Sequence, residues 1–217
     1  MQEYYNRRAQ EYEQIYRRDD PVRAAELTAI ASAMCAALAG REVLEVACGT
    51  GYWTERLADC ACRIVATDAS SEMLKIARSK QMPASVSFAQ ADAFDPGTAG
   101  GPFDGGLANF WFSHVPRRRI PEFLHGLHER LTRTNDGREA RLFMADNCYQ
   151  EGIGGELVVI QGSDDTFKRR RLSDGSEHMI LKNYYDAGQL AEIFGPFAKE
   201  IDVQVGTCYW WVSYVQA

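Results

Sequence analysis

The residues best suited to chemistry are acids and amides closing apolar runs, namely Glu45, Asp68, Asp92 and Asn109, with Gly49 and Gly51 following the first. In Val43-Leu44-Glu45-Val46-Ala47-Cys48-Gly49-Thr50-Gly51-Tyr52-Trp53-Thr54 an apolar strand runs into a glycine turn that opens a helix. Such a turn brings backbone N–H groups and a helix N-terminus against a bound small molecule. A dinucleotide fingerprint wants a third glycine for close helix–strand packing, and Gly51 is followed instead by Tyr52, Trp53 and Thr54. Glu45, at the carboxyl end of its strand, is placed to meet a cationic ligand group directly or through water. The site reads as one for a nucleotide-like cofactor carrying an amino-acid portion rather than a pyrophosphate.

The positioning elements follow in order. Arg63 to Thr67 reads as a second strand ending at Asp68, where an acid accepts hydrogen bonds from ribose hydroxyls, and Ser71 to Ala77 as the next helix. Val86 to Gln90 is a third strand leading to Ala91-Asp92-Ala93-Phe94. Phe103 to Asn109 is a fourth, with Phe110-Trp111-Phe112-Ser113-His114-Val115 beyond it. Ile120 to Leu131 is helical, and Arg141 to Ala145 is a fifth strand ending at Asp146-Asn147. Tyr4 to Arg18 and Pro21 to Ala39 read as leading helices that can lid the cleft, with Asp20 as N-cap and Pro21 at the first helical position. Alternating strands and helices predict a parallel sheet covered on both faces. Ligands then bind beyond the carboxyl ends of the strands, where Glu45, Asp68, Asp92, Asn109 and Asp146 converge.

These ordered motifs, over roughly the first two thirds of the chain, resemble class I S-adenosylmethionine-dependent methyltransferases, with Ala47 standing where the family's first motif has a glycine. The resemblance implies an α/β, Rossmann-like fold: a seven-stranded, mostly parallel sheet with an antiparallel last strand and helices on both faces. It implies S-adenosylmethionine as cofactor and S-adenosylhomocysteine as product. The cofactor residues it implies are Glu45, Ala47, Gly49, Gly51, Trp53, Asp68, Ala69, Met73, Asp92, Ala93, Asn109 and Phe110. Asp92 would accept from the exocyclic amine, and the backbone near Ala93 would serve the ring nitrogen. Tyr5, seven residues before Tyr12 on one helical face, closes over the cofactor or packs in the core.

After the fifth strand, Thr166 to Leu172 and Glu177 to Lys182 flank Ser173-Asp174-Gly175-Ser176, and an Asp-Gly pair there signals a hairpin insertion. With Asp174 and Gly175 as the two loop residues, Arg171 faces His178, Arg169 faces Ile180 and Phe167 faces Lys182, all on one side. Arg169, Arg171 and Lys182 then cradle an anionic substrate group, the guanidinium fork matching carboxylate or phosphonate oxygens; a solvated surface accounts for the same charges. LEVACGTGYWTERL, ANFWFSHVP and RRRLSDGSEHMILKNYY together resemble bacterial small-molecule methyltransferases that include phosphonate O-methyltransferases. In that group a positive pocket beside the cofactor holds an acidic substrate, and Lys182 matches a basic residue after the hairpin. Related enzymes methylate nitrogen in heterocyclic metabolites instead.

The expected reaction is methyl transfer to a small anionic metabolite, with O-methylation of a phosphonate or carboxylate favoured and N-methylation of a heterocycle as the alternative. An anionic oxygen needs no base. For a hydroxyl or protonated nitrogen the candidate base is His114, which otherwise packs in its loop. Trp111 and Trp210 are expected to line the substrate pocket. His125 and His128 lie three apart on a helix with no third ligand, so they are expected at the surface and no metal is expected.

The 217 residues with a net charge of −6 read as one domain: a helical lid at 1–40, a cofactor core at 41–148, a substrate-side insertion at 149–185, and a C-terminal helix and strands at 186–217. The negative balance argues against nucleic acid as a partner. There is no long apolar run and the first residues are polar, so neither a membrane span nor a secretory signal is expected, and the location is expected to be cytoplasmic. A monomer or homodimer is expected. The six cysteines lack paired CxxC spacing and are expected as free thiols. Two rival classes stand beside the enzyme reading: a nicotinamide-dependent oxidoreductase, disfavoured by the missing glycine, and a cofactor-binding subunit without turnover.

Overall fold

The computed structural model describes residues 12, 13, 16, 19–97, 100–134, 137–171 and 175–217. Tyr5 and most of the leading segment lie outside them, as does Asp174. The first helix, α1 (Pro21–Leu38), starts where Asp20 accepts the Val22 and Arg23 N–H groups at 3.1 and 3.2 Å. Its length and mean hydropathy of 1.2 would suit a membrane span, but it lays Leu27, Ile30, Met34 and Leu38 against the sheet.

Strands β1 (Glu42–Val46), β2 (Arg63–Asp68), β3 (Val86–Gln90), β4 (Gly105–Asn109) and β5 (Arg141–Asn147) pair in parallel. β9 (Ala198–Val205) and β10 (Tyr209–Gln216) complete a seven-stranded sheet in the order β3-β2-β1-β4-β5-β10-β9, with β10 antiparallel to both neighbours. The chain order reverses between β1 and β4, which places the ligand crevice there. Helices α2 (Tyr52–Leu57), α3 (Ser71–Ser79), α4 (Ile120–His128) and α5 (Ala187–Phe194) complete the cover. One core packs Phe112, Phe123, Met144, Trp210 and Tyr214; the other packs Ile30, Met34, Trp53, Leu107 and Phe143. This is the Rossmann-like arrangement the motifs imply.

The insertion departs from the expected hairpin. It is a three-stranded antiparallel sheet of β6 (Glu156–Val159), β7 (Thr166–Arg171) and β8 (Glu177–Leu181). The observed register pairs Arg171 with Glu177, Arg169 with Met179 and Phe167 with Leu181, one residue away from that of a two-residue loop. A one-residue slip turns every side chain to the other face. Lys168, Arg170, His178 and Ile180 therefore share one face, which Lys182 continues, whereas Arg169 and Arg171 project from the other. Burial agrees: Lys168 is 1%, Ile180 2% and Lys182 3% exposed, against 47% for Met179 on the outer face.

Two smaller expectations are also corrected. Cys35 and Cys60 form a disulfide, because α1 passes beside the end of α2 and brings their Cα atoms to 5.8 Å. His128 is buried, its Nε2 2.8 Å from the Tyr214 hydroxyl, while His125 stays exposed beside Glu129. The described residues contain no cluster of three or more metal-ligating side chains.

Candidate active site

At the carboxyl ends of β1, β2 and β4, a cavity of about 280 Å³ is lined by Ala47, Gly49, Asp68, Ala69, Ser70 and Met73 on one side and Asp92, Ala93, Phe94, Phe110, Trp111 and His114 on the other. Tyr12 and Arg119 complete the wall. Asp68 is fixed by backbone donors: the Gly49 N–H reaches one carboxylate oxygen at 2.9 Å and the Ser70 N–H the other at 2.8 Å. Burial pushes its pKa up, and those two hydrogen bonds oppose the rise.

The glycine turn is needed sterically. Gly51 has φ +76°, and a Cβ there would lie 3.2 Å from the Ala77 Cβ on α3. Ala47 and Phe110, at the ends of β1 and β4, hold φ of 54° and 58°, the region costly for residues with a Cβ. Both line the cavity, so strained backbone is concentrated where two strands meet it.

Glu45 is 2% exposed, and its Oε2 accepts the Thr54 hydroxyl at 2.6 Å. Burial raises its pKa to about 8, against the lowering effect of that hydrogen bond. A carboxyl with a folded pKa above its unfolded one favours the folded chain fully below the ordinary carboxylate pKa, and that contribution is lost as pH rises through about 8. Glu45→Gln should flatten this loss, on the order of a few kcal/mol, in denaturant titrations run from pH 5 to pH 9. Parallel curves for the two proteins would show that Glu45 is ionised throughout.

Beyond His114 lies the insertion. The His114 Nδ1–H donates to the Leu181 carbonyl at 2.7 Å, which assigns the neutral tautomer. Burial first, then the Lys182 ammonium, depress the imidazole pKa to about 3. Lys182 donates to Asp146 Oδ1 at 2.8 Å and to the Ser113 hydroxyl at 2.6 Å, and the Ser113 N–H reaches the other Asp146 oxygen at 2.8 Å. Burial alone would raise the Asp146 pKa, but Lys182 overrides it and holds the carboxyl well below its usual range. Lys168 donates to the Ile153 and Gly155 carbonyls at 3.2 and 2.9 Å beside the Tyr149 and Tyr184 rings. Arg170 is close enough to act electrostatically on His114, Lys182 and Tyr184.

The cavity wall thus gathers Ala47, Gly49, Asp68, Ala69, Met73, Asp92, Ala93, Phe110, Trp111 and His114 of the residues singled out in the sequence. Glu45, Trp53 and Asn109 lie buried behind it: Trp53 stacks on Phe110 at 5.5 Å, and Asn109 Nδ2 is 3.5 Å from the Met34 sulfur. Trp210 is fully enclosed, edge-on to Phe112 and Tyr185, so it belongs to the core and not to a substrate pocket. Arg169 faces away and pairs with Glu156 at 3.1 Å, and Arg171 is exposed on the same outer face. Ser70, Phe94 and Arg119 are cavity residues that the sequence reading missed. Ser70 is legible as the N-cap of α3, since its hydroxyl accepts the Met73 N–H at 3.1 Å.

The set can hold a nucleoside carrying an amino-acid portion, because a fixed carboxylate, the backbone of the glycine turn and the apolar side chains of Met73 and Phe94 line one cavity. Comparison with known proteins agrees. A methyltransferase-domain family model matches residues 43–134. No curated protein matches the sequence. Among solved structures, DhpI in complex with SAH is 25% identical with a TM-score of 0.77, covering 99% of this chain and 94% of that one. DhpI with SAM and HEP is 26% identical with a TM-score of 0.76, covering 97% and 94%. The Burkholderia thailandensis 1,6-didemethyltoxoflavin-N1-methyltransferase with bound S-adenosylhomocysteine shares the fold at 17% identity and a TM-score of 0.65, covering 99% and 86%. With its sheet order, its cavity, the methyltransferase-domain match over residues 43–134 and these likenesses taken together, the chain reads as an S-adenosylmethionine-dependent methyltransferase of Rossmann-like fold.

Proposed function

We propose that this methyltransferase acts on a small anionic metabolite, transferring the methyl group to a phosphonate or carboxylate oxygen. The observation that supports the reading is the insertion register, which puts Lys168 and Arg170 on one face that Lys182 continues, with Arg170 and Lys182 within electrostatic reach of His114. Asp68 takes the ribose hydroxyls, the Ala93 backbone and Asp92 the adenine edge, and Ala47, Gly49 and Phe110 bring main chain against the amino-acid portion. S-adenosylmethionine supplies, when bound, a methyl group already activated by its sulfonium. The protein's part is to orient the acceptor and exclude water, which can supply many orders of magnitude.

His114 supports an acceptor that arrives deprotonated. An imidazole with a pKa of about 3 is a poor proton acceptor near neutral pH, so the residue keeps its tautomer and shapes the pocket with Trp111. Arg170 is the residue we assign to the acceptor's anionic group, in place of Arg169 and Arg171. The 1–217 chain is read as one domain whose insertion carries acceptor choice.

The test is methyl uptake from labelled cofactor by a panel of phosphonates, carboxylates and azaheterocycles, followed by two arginine variants. Arg170→Ala should raise the acceptor KM about 10- to 100-fold and leave cofactor affinity unchanged, as for loss of a charge-assisted hydrogen bond. Arg169→Ala should leave both unchanged. Methylation of azaheterocycles alone would replace the oxygen acceptor with nitrogen, and the opposite ranking of the two variants would overturn the assigned face.

A further inference from the structure

Arg119 lines the cavity from a position where local rules call for a different residue. It is the N-cap of α4 and closes the run Arg117-Arg118-Arg119, where a small acceptor side chain would cap the helix and an anion would suit its positive end. Arg119 makes no side-chain cap. Its neighbour Arg117 turns to the insertion, donating to the Tyr184 carbonyl at 3.0 Å and lying over the Tyr185 ring. Arg119 turns to the cavity instead, where it stands with Asp92, Ala93 and Phe94. A local rule broken at a cavity wall marks a side chain kept for the site rather than for the helix.

The guanidinium plane is fixed by two neighbours. Its Cζ lies 3.8 Å from the centre of the Phe94 ring, and Phe94 meets Phe123 edge-on at 5.8 Å. Glu122, in the first turn of α4, accepts from Nε at 2.7 Å and from Nη2 at 2.6 Å, a fork that leaves little rotational freedom. Among the described residues, Nη1 has no acceptor, so two N–H groups remain on an immobilised cation at the cavity wall. Asp92 is near enough to act on Arg119 electrostatically, and its Oδ1 accepts the Phe94 N–H at 2.9 Å. The Arg119 and Glu122 side chains are 42% and 57% exposed, so the pair contributes little to folding and its loss can be read in binding.

With Asp92 on the adenine amine and the Ala93 backbone on the ring nitrogen next to it, two ring acceptors of the adenine are left. N3 stands on the sugar side, whereas N7 stands beside the amine, so a donor next to the carboxylate that reads the amine meets N7. We propose that Arg119 is a specificity-determining residue that donates through Nη1 to adenine N7, its plane held by Phe94 and Glu122. The contact rests on the assignment of Asp92 and Ala93 to the adenine edge. It makes the site select a purine with nitrogen at that position, which neither Asp92 nor the Ala93 backbone can do.

Titration calorimetry of the full chain compares S-adenosylhomocysteine with its 7-deaza analogue, in which a C–H replaces N7. The parent should bind the natural ligand about tenfold more tightly, the worth of one charge-assisted hydrogen bond. Arg119→Met, which keeps an apolar stem against Phe94, should bind S-adenosylhomocysteine about tenfold more weakly and the two ligands equally well. Glu122→Gln, which loosens the fork but leaves the cation, should keep a preference of about two- to fourfold. Equal binding of the two ligands by the parent, or a preference retained in full by Arg119→Met, would overturn the contact and leave the cofactor reading standing. A parent that binds no S-adenosylhomocysteine would overturn the cofactor reading and the contact with it. Should Arg119→Met fail to fold, the parent and Glu122→Gln decide the question, and a preference undiminished in Glu122→Gln counts against the held plane.

Discussion

Replacing Lys182 with methionine should lower folding stability by about 3–5 kcal/mol, the cost of leaving a buried charge without its partner. Asp146 has no exposed surface and its carboxylate is held by Lys182, by the Ser113 N–H and by Asn147. With the ammonium gone, the carboxylate must either stay charged in the core or take up a proton. Adding Asp146→Leu to Lys182→Met should recover most of the loss, since a buried pair replaced by apolar groups is often neutral. Urea titration of the two variants checks this. A single variant as stable as the parent would mean that Asp146 is not ionised in the folded chain. The same result bears on function, because a rise in acceptor KM in Lys182→Met would be tangled with unfolding.

Asp68→Ala should weaken cofactor binding by about 2 kcal/mol, roughly 30-fold, for S-adenosylmethionine and S-adenosylhomocysteine alike. Two losses act together: the acceptor for the ribose hydroxyls, and the carboxylate that holds the Gly49 and Ser70 N–H groups at 2.9 and 2.8 Å. The turn should loosen as the ribose loses its partner. Titration calorimetry of both ligands reads the effect. Affinity within about twofold of the parent would remove Asp68 from the ribose site.

The cavity end of the sheet was legible because an acid or amide stands at or just after the carboxyl end of several strands, as Asp68, Asp92 and Asn109 do, and a glycine turn follows the first. At Gly51 the positive φ and a Cβ contact of 3.2 Å to Ala77 both disfavour a side chain, and such a constraint is visible in a single letter. The insertion was less legible because strand register hangs on one loop residue. Reading Asp174-Gly175 as a two-residue turn displaced the pairing by one and sent Arg169 and Arg171 to the wrong face. β6 gave little alternation to read, since its burial runs exposed, half-buried, half-buried, exposed. Trp210 was misplaced for another reason: β10 is covered on both faces, so alternation along it does not separate pocket from core. The Cys35–Cys60 pairing joins residues 25 apart through helix packing that no spacing rule describes.

The end of β8 is stitched to the turn that follows β4. Lys182 bonds Ser113 and Asp146, the Asn183 N–H donates to the Ser113 carbonyl at 2.8 Å, Asn183 Nδ2 reaches the Val115 carbonyl at 3.2 Å, and His114 holds the Leu181 carbonyl. Among the described residues, the far edge of the insertion, at β6, shows no such hydrogen bonds to the main sheet, and Val159 there is 69% exposed. Heredity can therefore treat the two ends of this small sheet differently. The sewn end is tied to the turn that carries His114 and resists change, while the outer edge can accept substitution without disturbing that turn.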